Sequence, residues 1–325
     1  MKYLQIPGLK QPASTLVLGC MRIDALEERE VDRLVHRALE LGINFFDHAD
    51  VYGGGQCEVL FSKVIAGSDD LREKMILQGK CGIRKCGGYL DGYYDFSKEY
   101  LLQAVDGILQ RLKTDYLDVL LLHRPDALME PEEVAEAFDR LEETGKVRAF
   151  GLSNANSMQL ELLQKTVRQK LTFNQVQFGV GHTPLVDVGM AADTMLPQGI
   201  DRSGYLLDYA RLHEITLQAW SPLQHGFFEG VVVGDLERYP KLNEVLCEVG
   251  ARHGISAAAA AVAWILRHPD HRGNNQDCAP GGIQRRGRRD AQPRGVVRNL
   301  QGSGKPNPIN QVVQLPGIAA TKLEV

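Results

Sequence analysis

The amino-acid sequence predicts an α/β protein, an eight-unit (β/α) barrel of the TIM type whose last unit is not recognisable. Short apolar segments rich in β-branched residues alternate with segments that carry apolar residues at helical spacing, and seven such units follow one another. This alternation is typical of a parallel sheet covered by helices. Seven consecutive units favour a barrel over an open sheet.

The first units show the pattern clearly. Residues 15–19 form a short apolar run that ends in Gly19, which predicts a buried strand. Residues 26–41 place apolar side chains on one helical face, and Gly42 is a suitable C-terminal stop. The other predicted strands are residues 43–47, 75–78, 117–122, 147–152, 173–176 and 215–219, and the other predicted helices are residues 98–112, 131–144, 157–165, 203–212, 242–253 and 256–267.

Composition excludes several classes of function. The 325 residues include 37 Lys or Arg and 41 Asp or Glu, and this mildly acidic balance argues against nucleic-acid binding. No run of 18 apolar residues is present, and the N-terminal segment lacks the apolar core of a signal peptide. Six cysteines are too few for a disulfide scaffold. We therefore expect a cytoplasmic protein with a small-molecule substrate and no membrane partner.

The charge is unevenly distributed along the chain. Residues 270–325 carry nine Lys or Arg against four Asp or Glu, a net charge of +5, which leaves −9 on residues 1–269. None of the 10 Phe, 2 Trp and 10 Tyr lies in this tail. The sequence therefore predicts a barrel over residues 1–269 followed by an atypical basic tail.

Polar side chains stand where three consecutive predicted strands end. These are Asp47, Lys80 and His123, and Tyr52 follows Asp47 by one short turn. In barrels of this type, catalytic groups lie at the C-terminal ends of the strands. A Lys ammonium lowers the pKa of a nearby Tyr from about 10, and Asp47 can hold that lysine by a charge-assisted bond. Tyr52 could then give a proton to a carbonyl oxygen that His123 orients.

Structural roles are the alternative for each of these residues. Tyr52 alone could be a packing residue, His123 a hydrogen-bonding residue, and Asp47 with Lys80 a structural ion pair. Because all four are expected at one barrel mouth, a proton-transfer site is favoured.

Four segments carry a family resemblance: F-D-H-A-D-V-Y-G-G-G-Q-C-E at 46–58, L-Q-G-K-C-G-I at 77–83, Y-L-D-V-L-L-L-H-R-P-D at 116–126 and G-K-V-R-A-F-G-L-S-N at 145–154. Together they resemble the aldo-keto reductases, in particular a bacterial branch of NADPH-dependent oxidoreductases, over about residues 1–269. The resemblance implies hydride transfer from a nicotinamide to an aldehyde or ketone without a metal. It also implies that Tyr52 is the general acid, supported by Asp47, Lys80 and His123.

The same resemblance implies a set of cofactor-binding residues. The nicotinamide carboxamide would be held by Ser153, Asn154 and Gln175, whose side chains supply the donors and acceptors that an amide needs. Trp220 would stack on the nicotinamide ring, although core packing is the alternative for a Trp. The remaining expected residues are Ser221 and Leu223 in the pyrophosphate region and Gly19, Cys20 and Met21 at the border of the site.

The loop between the third predicted strand and the next helix has two interpretations. It contains Tyr89, Tyr93 and Tyr94 among glycines, so it could flank a pocket for hydrophobic carbonyl substrates or simply expose tyrosines to solvent. The spacing of Cys81 and Cys86 does not suit a zinc site.

The resemblance stops at Pro269. In the family, an eighth strand follows this point, and the next helix binds the 2′-phosphate of NADPH. One hypothesis is that residues 270–325 come from a shifted reading frame; the other is a divergent or disordered extension. The functional alternative is therefore a catalytically silent barrel that binds a nucleotide or a protein partner.

The shifted-frame hypothesis predicts a specific result at the DNA level. Resequencing the gene around the codon for Pro269 should reveal another frame that encodes an apolar strand ending in Gly followed by Thr or Ser. If neither alternative frame encodes such a segment, the hypothesis is wrong and the tail is a genuine extension.

Overall fold

The computed structural model of the chain describes residues 1–66, 68–85, 92–225 and 230–268. The predicted basic tail, together with the predicted domain boundary at residue 269, lies outside these residues and stays a prediction. The described residues divide into two compact units. The first contains Met1–Gln175 and Glu214–Thr216, and the second contains Val176–His213 and the described residues from Leu217 onwards.

The first unit holds most of the strands. They are β1 (Tyr3–Leu4), β2 (Ala13–Ser14), β3 (Val17–Gly19), β4 (Phe45–Asp47), β5 (Ile76–Cys81), β6 (Ile83–Lys85), β7 (Gly92–Tyr94), β8 (Leu117–Leu122), β9 (Val147–Ser153) and β10 (Leu171–Gln177). Its helices are α1 (Glu28–Glu40), α2 (Gln56–Ile65), α3 (Asp69–Glu73), α4 (Lys98–Leu112), α5 (Pro131–Glu143) and α6 (Ser157–Gln164). Single turns of 3-10 helix span Ile23–Ala25 and Tyr52–Gly55.

The seven strands that the sequence predicts lie in one sheet. With β11 (Thr216–Trp220) as the seventh strand, the order is β11-β10-β9-β8-β5-β4-β3. From β3 to β10, each neighbouring pair is parallel. Because these six strands run in one direction and follow the chain order, the C-terminal ends of β3 to β10 share one edge of the sheet.

The central strands β5 and β8 are apolar because both faces of the sheet are covered there. All six residues of β5 and all six of β8 are buried, which is typical of parallel strands between helices and a barrel interior. Strand β3, at the edge of the sheet, is exposed at Val17 and Gly19, so the prediction of a buried strand at residues 15–19 is wrong. The rings of Phe45 on β4 and Phe173 on β10 meet edge to face, with centroids 6.0 Å apart. Three strands separate these two in the sheet order, so this contact requires the sheet of the first unit to curl back on itself.

Sequence patterns miss the short elements. Strands β1 and β2 pair over only two residues each, too few for an alternating pattern to show. Strands β6 and β7 form an antiparallel pair where a tyrosine-bearing loop was predicted. Tyr93 and Tyr94 are about half exposed there, whereas Tyr89 lies outside the described residues.

The second unit packs its helices around a separate apolar cluster. The helices are α7 (Pro184–Met190), α8 (Leu206–Leu212), α9 (Pro240–His253) and α10 (Ala257–Arg267), and Trp264 and Leu246 belong to the cluster. No single described helix has the length and apolar character needed to cross a membrane; α9 and α10 together meet that test, but they join at a 90° bend.

The prediction that a helix begins at residue 203 is wrong by three residues. The Asp201 carboxylate accepts hydrogen bonds from the backbone N–H groups of Ser203 and Gly204, at 2.9 and 2.8 Å. Tyr205 then adopts a left-handed conformation with φ of 51°. This local turn competes with helix formation, so α8 begins only at Leu206.

Asp118, near the start of β8, holds together the elements around it. Its buried carboxylate accepts hydrogen bonds from Arg72 Nη2 at 3.0 Å, Arg148 Nη1 at 2.8 Å and the backbone N–H of Leu77 at 2.9 Å. Both guanidinium groups also lie on the ring of Tyr116, with Cζ 3.9 and 3.6 Å from its centroid. One carboxylate therefore binds both cations and holds them against the Tyr116 ring.

Replacing this carboxylate should destabilise the fold. We expect Asp118→Asn to lower the free energy of unfolding by about 3 kcal/mol, because two largely buried guanidinium groups lose their counter-charge. Urea unfolding measures this loss. The matched control is Asp106→Asn, which breaks the exposed pair with Lys146 and should cost less than about 1 kcal/mol. Equal losses in the two variants would contradict the assignment.

Candidate active site

The core of the site is a buried ion pair between adjacent strands. Asp47 is the last residue of β4, and Lys80 Nζ donates a hydrogen bond to Asp47 Oδ1. The Lys80 side chain is completely buried. Gln78 Nε2 donates to the same oxygen at 2.6 Å. Gln78 and Lys80 are two residues apart on β5, so they share a face of the strand and converge on the one carboxylate.

Tyr52 reaches this ion pair through a tight turn. Two backbone hydrogen bonds extend the β4–β5 ladder past Asp47, from the His48 N–H to the Gln78 carbonyl and from the Asp50 N–H to the Lys80 carbonyl. The Tyr52 N–H then bonds the carbonyl of Ala49 at 3.0 Å, which folds the chain back. Lys80 Nζ lies 5.0 Å from the centroid of the Tyr52 ring as a result.

The electrostatics of the pair differ in part from the expectation. Burial lowers the pKa of Lys80, but Asp47 and Tyr52 raise it more, so the ammonium form is favoured. Burial raises the pKa of Tyr52 above its usual value, and Lys80 opposes this increase only in part. The prediction that Lys80 leaves Tyr52 with a lowered pKa is therefore wrong in net direction, because the cost of burying a phenolate exceeds the attraction of the ammonium.

His123 completes the group brought together at this edge. It directly follows β8, and its N–H bonds the carbonyl of Cys81 at 2.8 Å. Its ring stands edge to face with that of Tyr52, with centroids 5.9 Å apart. Burial, with a further contribution from Lys80, lowers the pKa of His123 well below its usual value. The imidazole is therefore neutral at neutral pH.

The three predicted border residues lie at the C-terminal end of β3. Gly19 is exposed and faces open space, since an added Cβ there would meet no heavy atom within 4 Å. The Cys20 N–H donates to the Asp47 carbonyl at 2.9 Å, and the Cys20 side chain is completely buried. Its thiol has a pKa well above the usual value because of burial and Asp47. The accessible groups here therefore belong to Gly19 and the half-buried Met21.

The predicted amide-binding residues lie together at the ends of β9 and β10. Ser153 and Gln175 are paired in register, and Ser153 Oγ donates to the Gln175 carbonyl at 2.9 Å. Asn154 adopts a left-handed conformation with φ of 61°, and its Nδ2 donates to Ser153 Oγ at 2.8 Å and to the His123 carbonyl at 3.3 Å. The side chains of Ser153 and Asn154 therefore form one hydrogen-bonded group with the backbone carbonyls of Gln175 and His123.

The last three predicted residues belong to the second unit. Trp220 ends β11 and is half-buried, and Ser221 follows it with a φ of 49°. Leu223 packs against the apolar cluster of this unit, and its carbonyl accepts a hydrogen bond from the Val232 N–H at 2.8 Å. The turn after β11 is therefore held by contacts within the second unit.

Sequence reasoning missed several buried polar residues behind the site. Gln78 could have been noticed as a polar residue within an apolar strand. Glu58, on α2, is completely buried, and its Oε2 accepts a hydrogen bond from Arg111 Nε at 2.5 Å. Asp50 Oδ2 accepts one from the Tyr100 hydroxyl at 3.3 Å. Burial raises the pKa of Asp50 to about 6 and that of Glu58 to about 7, although Arg111 opposes the rise for Glu58.

The raised pKa of Glu58 predicts a pH-dependent stability. Between the ordinary pKa of 4.5 and the folded-state value of about 7, the folded chain binds a proton that the unfolded chain releases. The contribution of Glu58 to the free energy of unfolding should therefore fall as pH rises through this window, by on the order of 3 kcal/mol.

Urea unfolding at about pH 5 and about pH 8 checks this dependence. Asp50 and His123 also titrate in this window, but they are present in every variant. The difference in unfolding free energy between the wild type and Glu58→Gln should therefore fall from about pH 5 to about pH 8. The same difference for Glu136→Gln, which alters an exposed glutamate paired with Lys98, should stay constant. If Glu58→Gln keeps the wild-type pH dependence, the pKa of Glu58 is not raised.

Comparison with known proteins identifies the family of the chain. A sequence model of the Aldo/keto reductase family matches residues 15–315, a range that includes much of the atypical tail. The uncharacterized oxidoreductase YcsN of Bacillus subtilis is 35% identical over 263 residues, which cover 79% of this chain and 81% of YcsN. A 6-dehydroglucose reductase of Agrobacterium fabrum is 32% identical over 268 residues, which cover 80% of this chain and 82% of the reductase.

Solved structures confirm the predicted fold class. The crystal structure of an aldo/keto reductase from Klebsiella pneumoniae in complex with NADP and acetate matches with a TM-score of 0.63 at 23% identity, over 83% of this chain and 82% of that one. The predicted eighth unit lies outside the described residues. On the family match and the identity to these relatives, the chain belongs to the aldo/keto reductase family of oxidoreductases.

Proposed function

We propose that this chain reduces aldehydes or ketones by hydride transfer from NADPH, with Tyr52 as the general acid. The observation that carries the proposal is the position of Lys80, whose buried ammonium bonds Asp47 and lies 5.0 Å from the centroid of the Tyr52 ring. A phenol beside a fixed cation can give up its proton to a substrate oxygen, because the ammonium stabilises the phenolate that remains.

The donor set of the described residues fits a nicotinamide. Ser153, Asn154 and Gln175 lie together at the strand ends and offer the hydroxyl and amide groups that a carboxamide requires. Gly19, at the C-terminal end of β3 in the same sheet, faces open space. When bound, NADPH supplies the hydride that the carbonyl carbon receives. Trp220, Ser221 and Leu223 are proposed to contribute from the turn after β11.

The pKa values suit the proposed proton transfer. Because burial raises the pKa of Tyr52, the phenol keeps its proton at neutral pH and has one to donate. Lys80 stays charged because Asp47 raises its pKa, so the cation is present when the phenolate forms. Asp47 is thereby proposed to fix the charge and position of Lys80.

His123 is proposed to orient the substrate carbonyl. As a neutral imidazole it carries one ring N–H, which can donate to the same oxygen that Tyr52 protonates. Its neutrality matters, because an imidazolium would compete with Tyr52 as the acid.

The proposed substrate class rests on the chemistry of the family and on one of the relatives. We infer a small carbonyl compound, and the 6-dehydroglucose reductase suggests that oxidised sugars belong in the test panel. We also infer a cytoplasmic location, consistent with the free Cys20, Cys57, Cys81 and Cys247 among the described residues.

Removing the proposed acid tests the mechanism. NADPH oxidation should proceed with at least one member of a panel of aliphatic, aromatic and sugar aldehydes, and Tyr52→Phe should lower kcat by roughly a hundredfold to ten-thousandfold. The matched control is Tyr3→Phe, which removes a hydroxyl bonded to the Gly42 carbonyl, before the start of β4. Its turnover should equal that of the wild type.

Two results would contradict the proposal. Turnover unchanged by Tyr52→Phe would remove Tyr52 from the reaction. Tight NADPH binding in a fluorescence titration, with no turnover of any substrate in the panel, would instead support the catalytically silent barrel.

A further inference from the structure

The Tyr52 turn, residues Tyr52–Gly55, has a glycine backbone whose ordering is costly in conformational entropy. Gly53, Gly54 and Gly55 all adopt positive φ, at 55°, 63° and 91°. Three consecutive glycines can reach such angles, but they also lose more conformational entropy on ordering than any other residue. Helix α2 begins directly after the turn, and no side chain caps its described N-terminus. The turn therefore needs support from outside.

Arg111, on α4, lies directly against this turn. A Cβ added at Gly55 would come within 2.8 Å of Arg111 Cδ and 2.9 Å of its Nε, so only glycine leaves room for the side chain there. Gly107, one turn earlier on α4, would meet Arg111 Nη1 at 3.0 Å in the same way. The arginine thus runs through a space that two glycines keep open.

Glu58 anchors this arginine from within the first turn of α2. Its carboxylate is completely buried and accepts the hydrogen bond of Arg111 Nε at 2.5 Å. Glu58 lies six residues after Tyr52 along the chain, and its charge interacts with those of Asp50 and Lys80. A buried carboxylate is unfavourable alone, so the pair with Arg111 binds α4 to the start of α2 with the Tyr52 turn between them.

We propose that Glu58 and Arg111 are positioning residues, and that the ion pair between them fixes the Tyr52 turn so that the phenol stays beside Lys80. Neither residue touches Tyr52 itself in this role. The pair acts by restricting the glycine backbone that carries it. The effect on catalysis rests on the proposed function, whereas the effect on the position of Tyr52 does not.

A double variant separates position from charge. At about pH 8, above the raised pKa of Glu58, both members of the pair are charged. Glu58→Gln together with Arg111→Gln then removes the pair without changing the net charge near the site, so any change at Tyr52 reports its position. The matched control is Asp106→Asn with Lys146→Gln, which removes an exposed ion pair involving the same helix α4. A cooperative urea transition shows that each variant is folded.

Two measured quantities, kcat and the carbon-13 resonance of Tyr52, should change in the double variant and not in the control. We expect kcat for the best substrate of the panel to fall by about tenfold to a hundredfold, with KM changed less than about twofold, because the acid is displaced and the binding groups are not. The carbon-13 resonance of Tyr52 Cζ, assigned by its loss in Tyr52→Phe, should shift towards its position in Lys80→Met. A merely structural pair would leave that resonance in place.

The outcomes are distinguishable from those of the proposed function. If the wild type reduces no carbonyl compound, the proposed function fails, but the Tyr52 resonance still tests the positioning. If the double variant keeps both kcat and the wild-type resonance, the positioning proposal is overturned.

Should the double variant not fold, Arg111→Lys serves in its place. Lysine keeps the positive charge but lacks the Nε–H that bonds Glu58, so we expect kcat to fall and the Tyr52 resonance to move. Wild-type values for both would overturn the proposal.

Discussion

The hydrogen-bonded ion pair between Lys80 and Asp47 is the interaction on which the site depends. An ammonium with no exposed surface is tolerated only when a counter-charge and good geometry accompany it. That geometry comes from the parallel register of β4 and β5, which places Asp47 opposite Gln78. Lys80 follows Gln78 by two residues on the same strand. The register of the sheet therefore fixes the position of the Lys80 ammonium. The charge of this ammonium in turn influences the pKa values of the groups beside it.

Burial favours the uncharged form of Lys80, Tyr52 and His123 alike. It holds His123 neutral and keeps the proton on Tyr52, and it would discharge Lys80 if Asp47 were not there. Desolvation therefore produces the neutral imidazole and the protonated phenol, whereas the charges of Asp47 and Tyr52 retain the ammonium. These are the protonation states that a group of this kind needs to give a proton to a carbonyl oxygen at neutral pH.

Buried carboxylates recur as the means of joining elements in the first unit. Asp118 binds two arginines and a backbone N–H near the start of β8, and Glu58 binds α4 to α2. Each has a cation as its partner, because an unpaired buried carboxylate is strongly unfavourable. These two buried ion pairs thus link structural elements, whereas the described pair of Lys80 and Asp47 lies beside Tyr52 at the strand ends.

Sequence by itself determined the alternation of strands and helices, the seven strands of the sheet, and the candidate residues Asp47, Tyr52, Lys80 and His123 at their ends. These follow from local periodicity and chain order, which are visible without folding. The pairing of Glu58 with Arg111 was not predictable, because it joins residues far apart in the chain. Two-residue strands are too short for an alternating pattern to show, and the late start of α8 comes from a local turn at Asp201 that helical spacing does not reveal.

The tertiary structure alone decided how deeply each group is buried, and hence the raised pKa of Tyr52 where the sequence predicted a lowered one. Burial is a property of the packed chain, and no local pattern records it.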